Sequence, residues 1–314
     1  MELTERASGG PTALPAGAAN AIAVGLGVLG DEWSLLILRA AYRGASRFGE
    51  FQDLLGISAA SLTGRLSRLT DEQMLGRRIY QDKPIRAEYV LTDRGRAAWP
   101  ILLAIWDWER TWVTGRDVAL PTMIHRSCGR AFRPRVTCVE CGEHVGPGVV
   151  KSKWGPAGGW ARSVPETTTR RRSTGADGRT QQFPQTMAIF GNRWSAVVIG
   201  AAFQGVDRFS QFHSVLGVPT NLLAERLRVL VELGFLTHDG DAVDARPGYH
   251  LTEKGRAFFP VVILTLQWAQ RWYRSPEGPA LEWLHRDHAT IARLDCDRCL
   301  QPLEAADVAL GDEA

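Results

Sequence analysis

The sequence predicts a mainly α-helical α+β chain: two tandem winged helix-turn-helix domains, each followed by a small Cys/His hairpin. Three observations carry this expectation. The first is an internal repeat. Gly30-Asp31-Glu32-Trp33-Ser34 matches Gly191-Asn192-Arg193-Trp194-Ser195 at an offset of 161, which also aligns Arg47-Phe48 with Arg208-Phe209 and Arg65-Leu66 with Arg226-Leu227. After one deletion the offset is 160, aligning Leu91 to Ala97 with Leu251 to Ala257, Trp108 with Trp268, Trp112 with Trp272, and His125-Arg126 with His285-Arg286. The second is helix, glycine turn, helix and hairpin patterning inside each copy. The third is a set of four His and Cys residues behind each copy.

Taken in order, Met1 to Ala19 lacks the basic start and apolar core of a secretion signal and reads as a flexible tail. The first winged domain is expected over 20–115. Apolar density from Trp33 to Ala41 suits a buried helix; Gly44-Ala45-Ser46 ends it, and Arg47-Phe48 opens a short helix through Leu55. Gly56 breaks that helix, and Ser58 caps the next, whose Leu62, Leu66 and Leu69 form one core-facing stripe. Strands are expected at Leu75 to Tyr80 and Arg86 to Leu91, then one long helix from Thr92 or Asp93 to about Trp112. Apolar residues cover two sides of that helix, more than a small domain can bury, so it is expected to pack against the other repeat or another chain. A Cys/His cluster is expected over 116–145, a flexible basic linker over 146–182, the second winged domain over 183–275, and a second cluster with an acidic tail over 276–314.

At these residues the chain resembles the HxlR family of winged-helix regulators, relatives of the MarR group. Trp33, Phe48, Arg65, Tyr89, Leu91, Thr92, Gly95 and Arg96 carry the resemblance in the first copy; Trp194, Phe209, Arg226, Tyr249, Leu251, Thr252, Gly255 and Arg256 carry it in the second. It implies duplex DNA as partner, regulation of promoters, self-association between repeats or between chains, and a small-molecule effector. The family's cysteine near the start of its first helix is missing, since no cysteine precedes Cys128. Ala59 and Ala60 stand where the family often has polar residues.

A recognition helix presents its N-terminal residues to base edges. The DNA-contacting candidates are Ser58, Ser61, Thr63, Arg65 and Arg68 in the first copy, and Thr220, Asn221 and Arg226 in the second. Asn221 suits adenine, which an amide contacts bidentately, or else caps its helix. Arg65 and Arg226 serve either DNA or a helix end or carboxylate of their own domain. The first wing carries Arg77, Arg78, Lys83 and Arg86 against Asp82 and Glu88; the second carries Asp239, Asp241 and Asp244 against Arg246. Phosphate binding is therefore expected mainly from the first repeat.

His125-x2-Cys128-x9-Cys138-x2-Cys141 and His285-x2-His288-x7-Cys296-x2-Cys299 each offer four nitrogen or sulfur ligands. Two structural zinc sites are expected, one within each run; a CxxC redox pair and unliganded residues remain as alternatives. His144 is a spare ligand. The net charge is +3, spread as +7 over 116–182 and −6 over 276–314; the basic stretch is read as phosphate-attracting or as a solvated linker. No apolar run reaches eighteen residues, and the five cysteines are an odd count, so a cytoplasmic protein without membrane span or disulfide scaffold is expected. No nucleotide loop, nucleophile signature or carboxylate pair points to an enzyme, and no organic cofactor is expected. The functional alternative is a ligand-sensing or protein-interaction module whose DNA binding is weak or lost.

Overall fold

The computed structural model describes residues 9–83, 85–114, 120–166, 182–239 and 247–311. A short strand, β1 (Thr12–Ala13), leads into α1 (Ala21–Leu29), α2 (Glu32–Tyr42), α3 (Phe48–Leu55) and α4 (Ala59–Asp71). The hairpin β2 (Leu75–Asp82) and β3 (Ile85–Leu91) follows, then α5 (Asp93–Arg96) and α6 (Trp99–Trp112). Four strands come next: β4 (Met123–His125), β5 (Arg130–Ala131), β6 (Pro134–Cys138) and β7 (Val150–Trp154). The second copy runs α7 (Pro184–Phe190), α8 (Arg193–Phe203), α9 (Phe209–Leu216), α10 (Thr220–Glu232), β8 (Leu236–His238), β9 (Tyr249–Leu251), α11 (Glu253–Arg256) and α12 (Phe259–Trp272). It ends in β10 (Tyr273–Arg274), β11 (Leu281–His285), β12 (His288–Ala289), β13 (Ala292–Cys296) and β14 (Val308–Leu310).

The repeated sequence motifs mark caps and close approaches. Asp31 and Asn192 each accept the N–H three residues ahead, opening α2 and α8. Gly56 and Gly217 adopt left-handed φ of 61° and 62°, ending α3 and α9 so that α4 and α10 can start at an angle. Thr92 and Thr252 accept the N–H of Gly95 and Gly255 at 3.0 Å. A Cβ on Gly95 would lie 2.1 Å from the Met74 carbonyl oxygen, and one on Gly255 would lie 2.2 Å from that of Phe235. The Leu-Thr-x-x-Gly-Arg motif is thus a helix cap packed directly on the start of the wing.

The single long helix expected from residue 92 to 112 is instead two helices, α5 and α6, separated at 97–98. Pro100 lies in the first turn of α6, where its missing N–H costs nothing, but it cannot continue a helix arriving from upstream.

The wide apolar faces of α6 and α12 are buried between the repeats. Trp108 Nε1 donates to the Lys254 carbonyl at 3.2 Å, and Trp268 Nε1 donates to the Arg94 carbonyl at 3.1 Å. With the repeat offset of 160 these are the same contact made in both directions. The Trp108 ring also stacks on Phe235, with centroids 5.0 Å apart. The crossing helices are α1 against α12 and α7 against α6, so the partners of α6 and α12 immediately precede the helices of Trp33 and Trp194. The two crossings differ in chemistry. A Cβ on Gly25 would sit 2.4 Å from that of Ala269, so only glycine allows α1 so close to α12. At the position of Ala269 the first repeat has Glu109, fully buried, whose carboxylate accepts the Gln185 and Thr186 N–H groups at the start of α7 at 3.1 and 2.7 Å. No single described helix is long and apolar enough to cross a membrane; the bent pair α1 and α2 passes that test together but is mostly core.

Three expected boundaries require correction. The N-terminal segment is not simply a loose tail, because β1 pairs in parallel with β10 and the Gly17 N–H donates to Glu277 at 2.8 Å; residues 1–8 lie outside the described residues. The linker expected to be flexible over 146–182 is folded from 146 to 166. There β7 pairs with β11, Trp160 meets Trp154 edge-on at 4.8 Å, and Ala157 and Ser163 are buried. The Arg170–Arg172 run lies outside the described residues. The C-terminal segment contributes β14, which pairs with β4 of the first repeat. In each case the stretch lacks a hydrophobic period of its own and gains order by adding to the edge of a sheet from the opposite repeat.

Candidate nucleic-acid interface and metal centres

Both copies carry two helices joined by a glycine turn and followed by a hairpin, but they expose different residues. In α4 the Leu62, Leu66 and Leu69 stripe is buried, leaving Ala59, Ala60, Thr63, Gly64 and Ser67 exposed. Ser58 is the N-cap, its Oγ accepting from the Ser61 N–H at 3.3 Å, and the Thr63 hydroxyl donates back to the Ala59 carbonyl at 2.9 Å. Arg65 and Arg68 turn inward: Arg65 Nε donates to Asp31 at 2.7 Å and Arg68 donates to the Gly27 carbonyl at 2.6 Å. They fasten α4 to the start of α2 and to α1, so its exposed face is short-chained, with Ala59, Ala60 and Gly64 beside Ser58, Thr63 and Ser67. In α10 the N-cap is Pro219, with no side-chain cap, so Asn221 is not a capping residue. It is exposed in the first turn, with Thr220 beside it and Glu225 and Arg228 farther along the same face. Arg226 is half-buried and pairs with Glu225; Asn192 occupies the place of Asp31, so the inward ion pair of the first repeat has no exact counterpart.

The first wing is long. Its register places Arg77 opposite Tyr89 and Arg78 opposite Glu88, with an irregularity between Ile79 and Gln81 that shifts the outer half. Arg77, Arg78, Lys83 and Arg86 are exposed, and Arg78 pairs with Glu88. The described part of the second wing is shorter, and its Asp239 bonds to His250 Nε2 at 2.9 Å. Asp241, Asp244 and Arg246 lie outside the described residues.

The eight His and Cys residues gather into two clusters, each joining opposite repeats. His125 and Cys128 meet Cys296 and Cys299; Cys138 and Cys141 meet His285 and His288. The expectation of one site within each run is therefore corrected: the CxxC knuckle of each repeat serves the His pair or His/Cys pair of the other. The strands show why. β6 pairs with β13 across the repeats, aligning Cys138 with Ala292 and Cys296 with Pro134, while β7 and β14 cross over to β11 and β4. This interlacing carries each knuckle away from its own histidine.

Within each cluster the donor atoms lie within 4.8 Å of one another. Cys299 Sγ is 3.3 Å and Cys128 Sγ 3.5 Å from His125 Nδ1; Cys141 Sγ is 3.4 Å from His285 Nδ1, and Cys138 Sγ is 3.2 Å from His288 Nε2. The sulfur–nitrogen edge of a zinc tetrahedron is about 3.6 Å from ordinary bond lengths. The five cysteines are free, as thiolate ligands must be. Burial opposes ionisation of Cys138, yet the Cys141 N–H and the His288 ring hold its thiol down at about 6. His125 and His285 are fully buried, and their Nε2 atoms lack hydrogen-bond partners, so their polar chemistry is directed at the clusters alone. His144 lies outside both, its Nδ1 3.1 Å from the Val136 carbonyl.

The basic and acidic segments also meet. Lys153 pairs with Glu282 at 2.9 Å and Arg286 with Glu143 at 2.6 Å; the Arg133 backbone N–H donates to Asp297 at 2.9 Å, while its guanidinium grips Asp107 at 2.9 Å. Of these contacts, Lys153–Glu282 sets a basic charge of the first extension against an acidic one of the second, while Arg286–Glu143 runs the other way.

The family model described as HxlR-like helix-turn-helix matches residues 28–117 and again 189–277, more than half the chain. An uncharacterised HTH-type transcriptional regulator of Mycobacterium tuberculosis is 36% identical over 128 residues, covering 40% of this chain and 80% of the relative. Another from Bacillus subtilis is 36% identical over 87 residues, covering 27% of this chain and 81% of the relative. The solved structure of PA1607, described as a candidate transcription factor, is 30% identical with a TM-score of 0.38, covering 44% of this chain and 97% of that one. These coverages give the mycobacterial relative about the length of one repeat with its extension, and the Bacillus relative about that of one winged domain.

Proposed function

This chain belongs to the HxlR-like helix-turn-helix family and is a DNA-binding transcriptional regulator, and from that premise we propose that its two winged domains act as one two-headed reader, a dimer within a single polypeptide, pinned by two structural zinc ions. The observation that carries this reading is the reciprocal tryptophan contact, Trp108 to Lys254 and Trp268 to Arg94. A contact made identically in both directions is the signature of a two-fold interface.

The heads divide the work. The first supplies phosphate contacts from Arg77, Arg78, Lys83 and Arg86 on its wing, with Ser58, Ser61 and Thr63 at the helix tip. The second supplies base contacts from Thr220 and Asn221, because its recognition helix carries the longer exposed polar groups. Arg65 and Arg68 hold their helix in place, and Arg226 sits at the rim. Zinc at His125, Cys128, Cys296 and Cys299, and at Cys138, Cys141, His285 and His288, staples each extension to its opposite. Four protein ligands per ion leave no open coordination position, so the zinc role is structural, and the protein acts by binding, without catalysis, in the cytoplasm. A small-molecule effector completes the reading.

The test is fluorescence anisotropy with duplex fragments from the region upstream of its own coding sequence, titrated from 50 to 200 mM salt. A saturable affinity whose logarithm falls linearly with the logarithm of salt concentration is expected. Absence of saturable binding at the lowest salt overturns the proposal.

A further inference from the structure

Beside α8 in the second repeat lies a cavity of about 100 Å³. Its walls come from α1, α7, α8, α12, β11 and the folded segment between the repeats, with Trp154, Trp160, Phe190, Phe203, Phe259 and Trp283 as its aromatic surface. All its lining residues are described, and none carries an ionisable side chain. One polar group stands out. Thr265 lines the cavity, is 1% exposed, and its Oγ1 has no hydrogen-bond partner. A buried hydroxyl left unpaired is costly, and a polar group brought in by a ligand would satisfy it.

The equivalent place in the first repeat has a recess of about 130 Å³ with different chemistry. Under the repeat offsets, Gly200 corresponds to Arg39, Gln204 to Arg43, Thr265 to Ile105 and Leu266 to Trp106. There the Arg39 guanidinium lies 4.5 Å over the Trp106 ring and bonds to Gln182, so the aromatic face is covered by a cation. In the second repeat Gly200 has no side chain, and even a Cβ there would only just touch Trp160, at 3.5 Å. The two copies have thus diverged at one structural position. One is cationic with an apolar floor; the other is neutral and aromatic-walled, with a hydroxyl introduced where its counterpart has isoleucine.

We propose that the second-repeat cavity binds a neutral, single-ring aromatic molecule bearing one hydrogen-bonding group, with Trp154 and Trp160 against the ring and Thr265 on the polar group. The cavity's volume of about 100 Å³ is less than the about 150 Å³ that encloses benzene in an apolar protein interior, so a single ring seats here with one edge in the solvent-facing mouth and nothing larger than one ring is accommodated. No cation or carboxylate lines the cavity to hold a charged ligand. The site gives a place to the effector in the function proposed above. Its wall α8 packs directly on α10, so a seated ligand bears on the second recognition helix.

The test uses p-cresol and toluene as probes on the full chain, by isothermal titration calorimetry without DNA, so ligand binding and DNA binding can fail separately. One equivalent of p-cresol is expected to bind with a sub-millimolar Kd. Gly200→Leu and Leu266→Trp should each weaken it at least tenfold, with circular dichroism and thermal melting confirming the fold. Leu266→Trp borrows the residue of the other repeat and serves if Gly200→Leu fails to fold. Thr265→Val should weaken p-cresol severalfold and leave toluene unchanged. No saturable binding of either probe at millimolar concentration, or unaltered affinity in the folded filling variants, overturns the site. Equal weakening of both probes by Thr265→Val overturns the part given to the hydroxyl.

Discussion

The exchange of knuckles between repeats can be tested by counting metal in two fourfold variants. The first replaces His125 by Ala and Cys128, Cys138 and Cys141 by Ser; these four are neighbours in sequence but belong to different clusters. The second replaces His125 by Ala and Cys128, Cys296 and Cys299 by Ser, which together make one cluster. With the observed pairing, the first variant should retain no zinc and the second should retain one ion per chain. Pairing within each run reverses both numbers. Stability should follow the same order. The partners Cys138 and His288 are 150 residues apart, and Cys141 and His285 are 144 apart. Treating each ion as a cross-link on the unfolded chain, closing a loop of that length contributes about 5 kcal/mol, against about 3 kcal/mol for a ten-residue loop. The two links are nested, so with one in place the other closes only about 20 residues; losing both should lower the unfolding free energy by up to about 8 kcal/mol, and losing one by about 3 kcal/mol. The assay is elemental analysis of purified protein, with guanidinium unfolding of the same samples. One zinc in the first variant and none in the second would refute the exchange, and an unmutated chain that binds no zinc would refute the metal itself.

Three further outcomes follow from the reading apparatus. Arg77→Ala with Arg78→Ala should flatten the salt dependence of DNA binding by about 0.9 to 1.8 in slope, the lower figure applying if Glu88 already occupies Arg78; an unchanged slope in anisotropy titrations removes that wing from the interface. Asn221→Ala should cost about 1–3 kcal/mol on the preferred duplex and little on a scrambled one, measured by competition; a uniform loss would make it a positioning residue. Asp31→Asn should keep the helix cap, as Asn192 does in the second copy, while loosening Arg65 and lowering stability by about 1 kcal/mol or less in urea unfolding; a loss above about 3 kcal/mol would contradict that division.

Much of this architecture is legible in the sequence. Periodic leucines, Asp31 and Ser58 as caps, Gly56 as a stop, and the repeat itself lead to the winged domains and to the wide apolar face of α6. All eight His and Cys residues are visible as well. What spacing cannot show is which knuckle serves which histidine, because duplication makes local and exchanged pairings equally consistent with the same intervals. The folded stretch from 146 to 166 is also hidden. Its glycines and prolines read as linker, and its order comes from β11, more than a hundred residues away. Trp154 and Trp160 were the available signal, since two tryptophans in a solvated linker would be left exposed. Glu109 and Gly25 become meaningful only once α7 and α1 are in position: the carboxylate caps a helix from the opposite repeat, and the glycine lets two backbones approach.

The claim on which the rest depends is that one chain holds both heads of the reader, and the mass of its complex with DNA tests it most directly. Mass photometry of the full chain with a bound duplex should show a single 34.6 kDa chain per duplex at concentrations where the site is saturated. A complex containing two chains at the lowest protein concentration that saturates the duplex, with no one-chain species before it, would contradict the account.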